Sequence, residues 1–232
     1  MTQPSTNGGT PASSGRTPAQ GNRLDPWYDV YADRAHNLRA SEIRALFSVV
    51  SRPEVVSLAG GMPNLKDLPL DKLAASAEKL VRNHGAQAMQ YGSGQGWEVL
   101  RERITEVMSY DGIVGADPDD VVVTTGSQQA LDLVTELFVN PGDVILAEAP
   151  SYVGALGVFR ARQADIVHVP MDEHGIIPEA LEETIRDVRA SGRTIKFIYI
   201  IPNYHNPAGV TLSAERRPII AEICLREHVL IV

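Results

Sequence analysis

The sequence predicts an α/β fold with a mainly parallel sheet flanked by helices. Short β-branched or apolar runs, which are typical of strands, recur between residues 121 and 232. Stretches with a helical spacing of apolar residues lie between them, and Gly, Pro and Asp mark the turns. Strands that alternate with helices form βαβ units, whose crossovers make neighbouring strands parallel.

The predicted elements follow one another in a regular order from residue 71 onwards. Helices are expected at residues 71–83, Leu100–Met108, Ser127–Phe138, Tyr152–Arg162, Pro178–Ala190 and roughly Ser213–Glu227. Strands are expected at Val121–Thr125, Val144–Ala147, Asp165–Val169, Thr194–Ile201 and Val229–Val232. In the last helix, Pro218 would cost a backbone hydrogen bond one turn past a cap at Ser213, so a start nearer Pro218 is the alternative.

The first 70 residues give weaker signals. Residues 1–25 consist mostly of Ser, Thr, Gly, Pro, Gln and Asn, which predicts a disordered tail. A helical pattern runs from Trp27 to about Val50, and an extended segment at Val55–Leu58 leads into a turn at Ala59–Pro63. We find no apolar run of membrane-spanning length and no signal-peptide pattern, and therefore expect a cytoplasmic protein.

Composition narrows the kinds of site. The 232 residues carry a net charge of -8, which disfavours nonspecific binding to nucleic acid or anionic membranes but does not exclude a local basic pocket. The one cysteine, Cys224, rules out an internal disulfide and a multi-cysteine metal site. For Cys224 itself, a small core residue is a better interpretation than a nucleophile.

Two motifs that follow predicted strands offer groups that can bind a ligand. In Thr125–Asp132, Gly126 permits a turn into a helix, where the hydroxyl of Ser127, the first N–H groups and Gln128 form an anion site. Plain N-capping by Ser127 is compatible with that role. After the next strand, Tyr152 can equally well stack on a planar ligand or pack over the sheet edge.

A third motif, Asn-Pro-Ala-Gly, follows a later strand. Pro207 and Gly209 hold the amide of Asn206 at a strand's carboxyl end, where open α/β sheets bind ligands. Taken alone, this motif is better interpreted as a simple turn. Together, the three motifs predict one pocket for a flat, phosphorylated aromatic ring. The loop Tyr91–Gly96 is not a dinucleotide fingerprint, because its glycines are wrongly spaced and no strand precedes it.

These motifs, in this order and spacing, resemble the class I/II pyridoxal-phosphate-dependent aminotransferases of fold type I. The resemblance runs from about Ser41 to Val232 and includes Ser-Leu-Ala-Gly-Gly-Met-Pro, Gln-Tyr-Gly, Thr-Gly-Ser-Gln-Gln-Ala-Leu, Pro-Ser-Tyr and Asn-Pro-Ala-Gly. The branch that contains 2-aminoadipate and kynurenine aminotransferases is the most similar. The resemblance implies an N-terminal arm and small-domain segment at residues 26–70, and the first part of the large cofactor-binding domain at residues 71–232.

The resemblance also implies a role for each matching residue. Ser127 and Gln128 would bind the phosphate of pyridoxal 5'-phosphate, Tyr152 would stack on its ring, and Asn206 would hydrogen-bond the ring's phenolic oxygen. Tyr91 would reach the phosphate in the neighbouring subunit, which implies a homodimer.

Three further positions match segments that contact the substrates, which would be an amino acid and a 2-oxo acid. Gly61 and Met62 would line the substrate pocket, and Arg44 would belong to a mobile arm that closes over it. The expected reaction is the transfer of an amino group between the two substrates. Which amino acid is used, and whether the fold instead supports decarboxylation or elimination, stays open at this level.

The sequence departs from the family pattern at the catalytic lysine. Its four lysines are Lys66, Lys72, Lys79 and Lys196, and none matches the family's Schiff-base residue. Val229–Val232 is a buried-type strand, and domains seldom end in mid-strand, so we expect a fragment that is inactive alone. The alternatives are a non-catalytic remnant and, less favoured, the aminotransferase-like domain of a transcription regulator.

Overall fold

The computed structural model describes residues 25–36, 54–55 and 65–232. The chain divides into two compact units, residues 1–37 and 38–232. In the described part of the first unit, a 3-10 turn at Tyr28–Val30 precedes a short helix α1 at Asp33–His36. The predicted tail, apart from its last residue, and most of the helical pattern that ends at Val50 lie outside the described residues.

The second unit alternates helices and strands much as the sequence predicts. In its described residues the helices are α2 (Leu70–Ala88), α3 (Glu98–Tyr110), α4 (Ser127–Phe138), α5 (Val153–Ala161), α6 (Pro178–Ala190) and α7 (Arg216–Arg226). Its strands are β1 (Val144–Ala149), β2 (Asp165–Asp172), β3 (Gly175–Ile176), β4 (Ile195–Tyr199) and β5 (Leu230–Ile231). A 3-10 turn at Pro118–Asp120 lies between α3 and α4.

The five strands form one sheet in the order β3-β2-β1-β4-β5. The pairs β1–β2, β1–β4 and β4–β5 are parallel, and the short β3 runs antiparallel to β2. The predicted α/β fold with a mainly parallel sheet is therefore confirmed. Because β1 and β4 are parallel neighbours, the segments that leave their carboxyl ends lie at the same edge of the sheet.

Alternate residues of each strand face opposite sides of the sheet and build two cores. Val144 and Leu146 of β1 pack with buried residues of α6 and α7, whereas Ile145 and Ala147 pack with α4 and α5. In the second core, the ring of Phe159 meets Phe197 and Tyr199 edge-on, with each pair of ring centroids 5.6 Å apart. Helices thus cover both faces, as the apolar β1 sequence requires.

One predicted strand, Val121–Thr125, is absent from the described sheet. Val121 is extended, with φ -100° and ψ 128°, and Val123 N donates to Gln95 O at 2.7 Å. A β-branched run favours extended backbone, but it forms a strand only where a partner strand lies alongside. Within the described residues, this segment has no such partner.

The start of α7 also differs from the main prediction. The helix begins at Arg216, and the carbonyl of Ser213 accepts from the N–H groups of Arg216 and Arg217 in the preceding turn. Pro218 is therefore the third helical residue, where a backbone N–H would have no helical partner anyway. The alternative start nearer Pro218 is thus the better of the two predictions.

Cys224 on α7 is 2% exposed, and burial raises the pKa of its thiol to about 11. It is a core residue, as the sequence favours. Among the described helices, none combines the length and the apolar character needed to cross a bilayer.

Candidate functional site

The N-terminus of α4 presents backbone donors toward the carboxyl edge of the sheet. Gly126 is the cap residue, with φ 89°, and it makes no side-chain capping bond. Ser127 is the first helical residue, so the interpretation of Ser127 as the N-cap is wrong. In the described part of the chain, neither its hydroxyl nor the N–H groups of Ser127 and Gln128 have a hydrogen-bond partner. Free N–H groups at the positive end of a helix dipole favour an anion.

Two glutamines fix this helix end. Nε2 of Gln128 donates to the carbonyl of Gly154 at 3.3 Å and so joins the N-termini of α4 and α5. Oε1 of Gln129 accepts from both N and Oγ1 of Thr125, at 2.7 and 2.8 Å. Sequence reasoning missed Gln129, although a Gln at the third helical position is a known signal for a side chain that reaches back to the preceding turn.

The ring of Tyr152 lies beside the first turn of α5, directly after β1. A Cβ atom on Gly154 would come within 2.5 Å of this ring, so only glycine leaves room for it. Tyr152 is half-buried and packs against the core that α4 and α5 form with the sheet. The pKa of Tyr199 is raised mainly by burial, and the nearby Tyr152 raises it further. The structure therefore supports packing over the sheet edge and leaves part of the ring exposed to a ligand.

Asn206 lies in a loop, residues 202–212, that leaves the carboxyl end of β4. Leu212 N donates to Pro202 O at 2.9 Å, and His205 N donates to Val210 O at 2.8 Å. These two bonds join the two sides of the loop. The amide of Asn206 is exposed and has no hydrogen-bond partner within the described residues. A closed loop thus holds an exposed amide near the carboxyl end of β4.

Arg217 of α7 holds the base of this loop. Its Nε donates to Leu212 O at 3.1 Å, and its Nη2 donates to Asn203 Oδ1 at 2.6 Å. The loop is therefore attached to a helix of the core as well as to its own strand.

A buried carboxylate and imidazole lie beneath the loop. The side chains of Glu148 on β1 and His205 are each 1% exposed, and Glu148 Oε2 lies 3.1 Å from His205 Nε2. Sequence reasoning missed this pair. Its only local signal is a glutamate within the apolar run of β1, since the two residues are far apart in sequence.

The remaining predicted site residues are not brought to this edge by the described contacts. Tyr91 is fully exposed, in a loop after α2, and lines a cavity of about 800 Å³ together with Leu80, His84, Trp97 and Arg101. Gly61, Met62 and Arg44 lie outside the described residues.

None of the four lysines is placed at this edge by the described contacts. Lys196 lies near the amino end of β4, where its Nζ is 3.3 Å from Asp143 Oδ2. Lys66 precedes α2, and Lys72 and Lys79 lie on it. The sequence-based interpretation that Lys196 is at the opposite end of the strand from Asn206 is confirmed.

The comparisons with known proteins decide the family. A family model described as aminotransferase class I and II matches residues 53–232. The chain belongs to this family. An aromatic-amino-acid aminotransferase of Thermococcus litoralis is 37% identical over 202 residues, which cover 87% of this chain and 48% of that protein.

Solved structures agree in fold. A kynurenine aminotransferase of Pyrococcus horikoshii, in complex with PMP, has a TM-score of 0.82 and 33% identity over 90% of this chain and 52% of its own. The α-aminoadipate aminotransferase of Thermus thermophilus, complexed with N-(5'-phosphopyridoxyl)-L-leucine, has a TM-score of 0.75 and 32% identity over 88% of this chain and 49% of its own. The chain therefore spans about half the length of the relatives it matches, which include the predicted kynurenine and aminoadipate branch.

These comparisons indicate pyridoxal phosphate as the cofactor, and the site residues fit it chemically. The N-terminus of α4 and the Ser127 hydroxyl offer unpaired donors for a phosphate. The part-exposed ring of Tyr152 and the free amide of Asn206 suit a flat ring with an oxygen substituent. The buried Oγ of Ser151, which has no partner in the described part of the chain, adds one more uncommitted polar atom just after β1.

Proposed function

We propose that the enzyme of which this chain is a part transfers an amino group between an amino acid and a 2-oxo acid, using pyridoxal phosphate. One observation carries the proposal: groups of three kinds lie on, or are bonded to, the segments that leave the carboxyl ends of the parallel neighbours β1 and β4. They are the donors at the start of α4, the ring of Tyr152 and the amide of Asn206. Within the described residues, the Ser127 hydroxyl, the Tyr152 hydroxyl and the Asn206 amide have no hydrogen-bond partner.

Each residue has a defined part in holding the cofactor. Ser127 and Gln128, with the free N–H groups at the start of α4, bind the phosphate, and the bond from Gln128 to Gly154 keeps this helix end against α5. Tyr152 stacks on the ring, and Asn206 donates its amide N–H to the ring oxygen. The bound cofactor supplies the electron sink on which the chemistry of amino acids depends.

The lysine that bonds to the cofactor comes from outside these 232 residues. This part of the proposal is supported by Lys196, which is paired with Asp143 near the amino end of its strand. Residues 71–232 then form the first part of the cofactor-binding domain, and residues 26–70 form the arm and small-domain segment. The chain is active only together with the remaining segment.

The enzyme is proposed to be a homodimer. Tyr91 is fully exposed, and its hydroxyl has no partner within the described residues, so it is available to the phosphate of a neighbouring subunit. Gly61, Met62 and Arg44 are proposed to contact the substrate, on the basis of the motif match alone.

The proposal is tested by binding of pyridoxamine phosphate, which has the same ring and phosphate but cannot bond to a lysine. In the enzyme at its natural length, Ser127→Ala and Asn206→Ala each should raise the dissociation constant about tenfold or more, the effect expected for one hydrogen bond to a charged group. Ser191→Ala, at the far end of α6, and Asn140→Ala, just before β1, should leave it unchanged. Equilibrium dialysis measures all five proteins.

Two results would contradict the proposal. The wild-type enzyme would fail to bind the probe, or the site variants would bind it as tightly as the Ser191 and Asn140 controls. The first result would also favour a non-catalytic remnant over an enzyme.

A further inference from the structure

Glu148 and His205 join β1 to the loop that carries Asn206. Oε2 of Glu148 accepts the N–H of Ile201 at 2.8 Å, just where β4 passes into the loop. The same oxygen lies 3.1 Å from Nε2 of His205. One carboxylate oxygen therefore contacts both the start of the loop and the residue immediately before Asn206.

The contacts of the imidazole determine its protonation. The N–H of Ala208 donates to Nδ1 of His205 at 3.2 Å, so Nδ1 is an acceptor and the ring proton is on Nε2. Nε2 therefore faces Glu148 as a donor. Its N–H is not closely aligned with Oε2, but no other acceptor in the described part of the chain satisfies it.

The imidazole also braces the turn around Asn206. His205 contacts Ala208 through its ring, accepts from Gly209 through its carbonyl at 2.6 Å, and donates to Val210 through its N–H at 2.8 Å. The residues on both sides of the Asn206–Pro207 bond are thus tied to His205. A displaced ring would lose the bond from Ala208, which lies two residues after Asn206 in the same turn.

We propose that Glu148 and His205 form a buried positioning pair for the cofactor. The carboxylate of Glu148 fixes the imidazole of His205, and the imidazole fixes the turn that presents the Asn206 amide to the ring oxygen. This inference rests on the proposed function, because it gives the pair a role only through Asn206.

Two other titratable groups in the described part of the chain lie close to Glu148. They are His168 of β2, whose Nδ1 lies 3.3 Å from the Glu148 carbonyl, and Tyr199 of β4, whose pKa is raised by burial and further by Tyr152 and Glu148. Among the described residues, no lysine or arginine forms an ion pair with Glu148. The imidazole is thus the main polar partner that the carboxylate has besides the Ile201 N–H.

The test is a double-mutant cycle on the affinity for pyridoxamine phosphate, in the enzyme at its natural length. His205→Phe removes both ring nitrogens, and we expect it to raise the dissociation constant about tenfold, as for one lost hydrogen bond to a charged group. In an Asn206→Ala background the same change should have less than about a twofold effect, because a positioning residue acts only through its target. His205→Gln, which retains a donor toward Glu148, should bind within about threefold of wild type.

A merely structural role predicts a different pattern. If His205 contributed only to the stability of the fold, His205→Phe would raise the dissociation constant by the same factor in the wild-type and Asn206→Ala backgrounds. This result would overturn the inference. Val188→Ala, which removes buried methyl groups from α6, controls for lost stability and should leave affinity unchanged. If His205→Phe does not fold, Glu148→Met, which has a similar length but no carboxylate oxygen, replaces it in the same cycle, with the same expected loss of effect in the Asn206→Ala background.

The proposed function and the positioning role fail separately. A wild-type enzyme that does not bind the probe would contradict the proposed function. A wild-type enzyme that binds it, combined with additive effects of His205→Phe and Asn206→Ala, would contradict only the positioning pair.

Discussion

The carboxyl group of Glu148 should make stability depend on pH in an unusual direction. Burial raises its pKa from 4.5 to about 7, and the hydrogen bond from Ile201 N only partly opposes this change. At a pH between these two pKa values, Glu148 keeps a proton in the folded protein that it has lost in the unfolded chain. The free energy of unfolding therefore falls as pH rises from 4.5 to 7 and changes no further above that range, as far as this group is concerned.

The size of this effect follows from the same interval. A pKa of 4.5 in the unfolded chain and of about 7 in the folded protein corresponds to a change of roughly 3 kcal/mol in the free energy of unfolding. Glu148→Gln has nearly the same shape but no proton to lose. Relative to wild type, the variant should therefore gain roughly 3 kcal/mol in unfolding free energy as pH rises from 4.5 to 7.5.

Urea unfolding of the cofactor-free enzyme at its natural length, followed by circular dichroism from pH 4.5 to 8, measures this difference. Glu183→Gln, at an exposed position of α6, is the control and should track wild type at every pH. A difference between Glu148→Gln and wild type that stays constant with pH would refute the reasoning. If the stability of Glu148→Gln relative to wild type instead rose toward acid pH, the folded protein would stabilise the carboxylate and lower its pKa.

Two further substitutions test other parts of the structure. Gly154→Ala should displace the ring of Tyr152 and weaken binding of pyridoxamine phosphate. In Gly157→Ala, on the same helix, the added Cβ meets no atom within 4 Å, so binding should not change. Equal affinities of the two variants would contradict the close packing of the Tyr152 ring on Gly154. The guanidinium of Arg216, 2.6 Å from Asp172, holds the pKa of that carboxyl down at about 2, from 3.8. Asp172→Asn should therefore lower stability at neutral pH, and its deficit in urea unfolding should shrink as pH falls from 4 toward 2; a deficit that is the same at every pH would exclude this ion pair as its source.

Local patterns predicted most of the secondary structure. The helix Pro178–Ala190 has the predicted bounds because Pro at its first position and a regular apolar face act within the helix itself. Val121–Thr125 shows the limit of such reasoning, since its β-branched residues favour extended backbone but cannot supply a neighbouring strand.

The site was predictable where one motif carries one role. Tyr152 and Asn206 follow β1 and β4, and the parallel sheet brings the segments after these two strands to one edge. The pair Glu148 and His205 was missed, because its geometry depends on two strands meeting side by side. A glutamate in an apolar run indicates a buried partner, but only the fold identifies His205 as that partner.

The most direct measurement is peptide mapping of the enzyme purified from its natural source, after borohydride reduction in the presence of pyridoxal phosphate. The account predicts a pyridoxyl-lysine in a peptide that lies outside residues 1–232, with Lys66, Lys72, Lys79 and Lys196 unmodified. A stoichiometric adduct on any of these four lysines, or no adduct on a protein that ends at Val232, would contradict it.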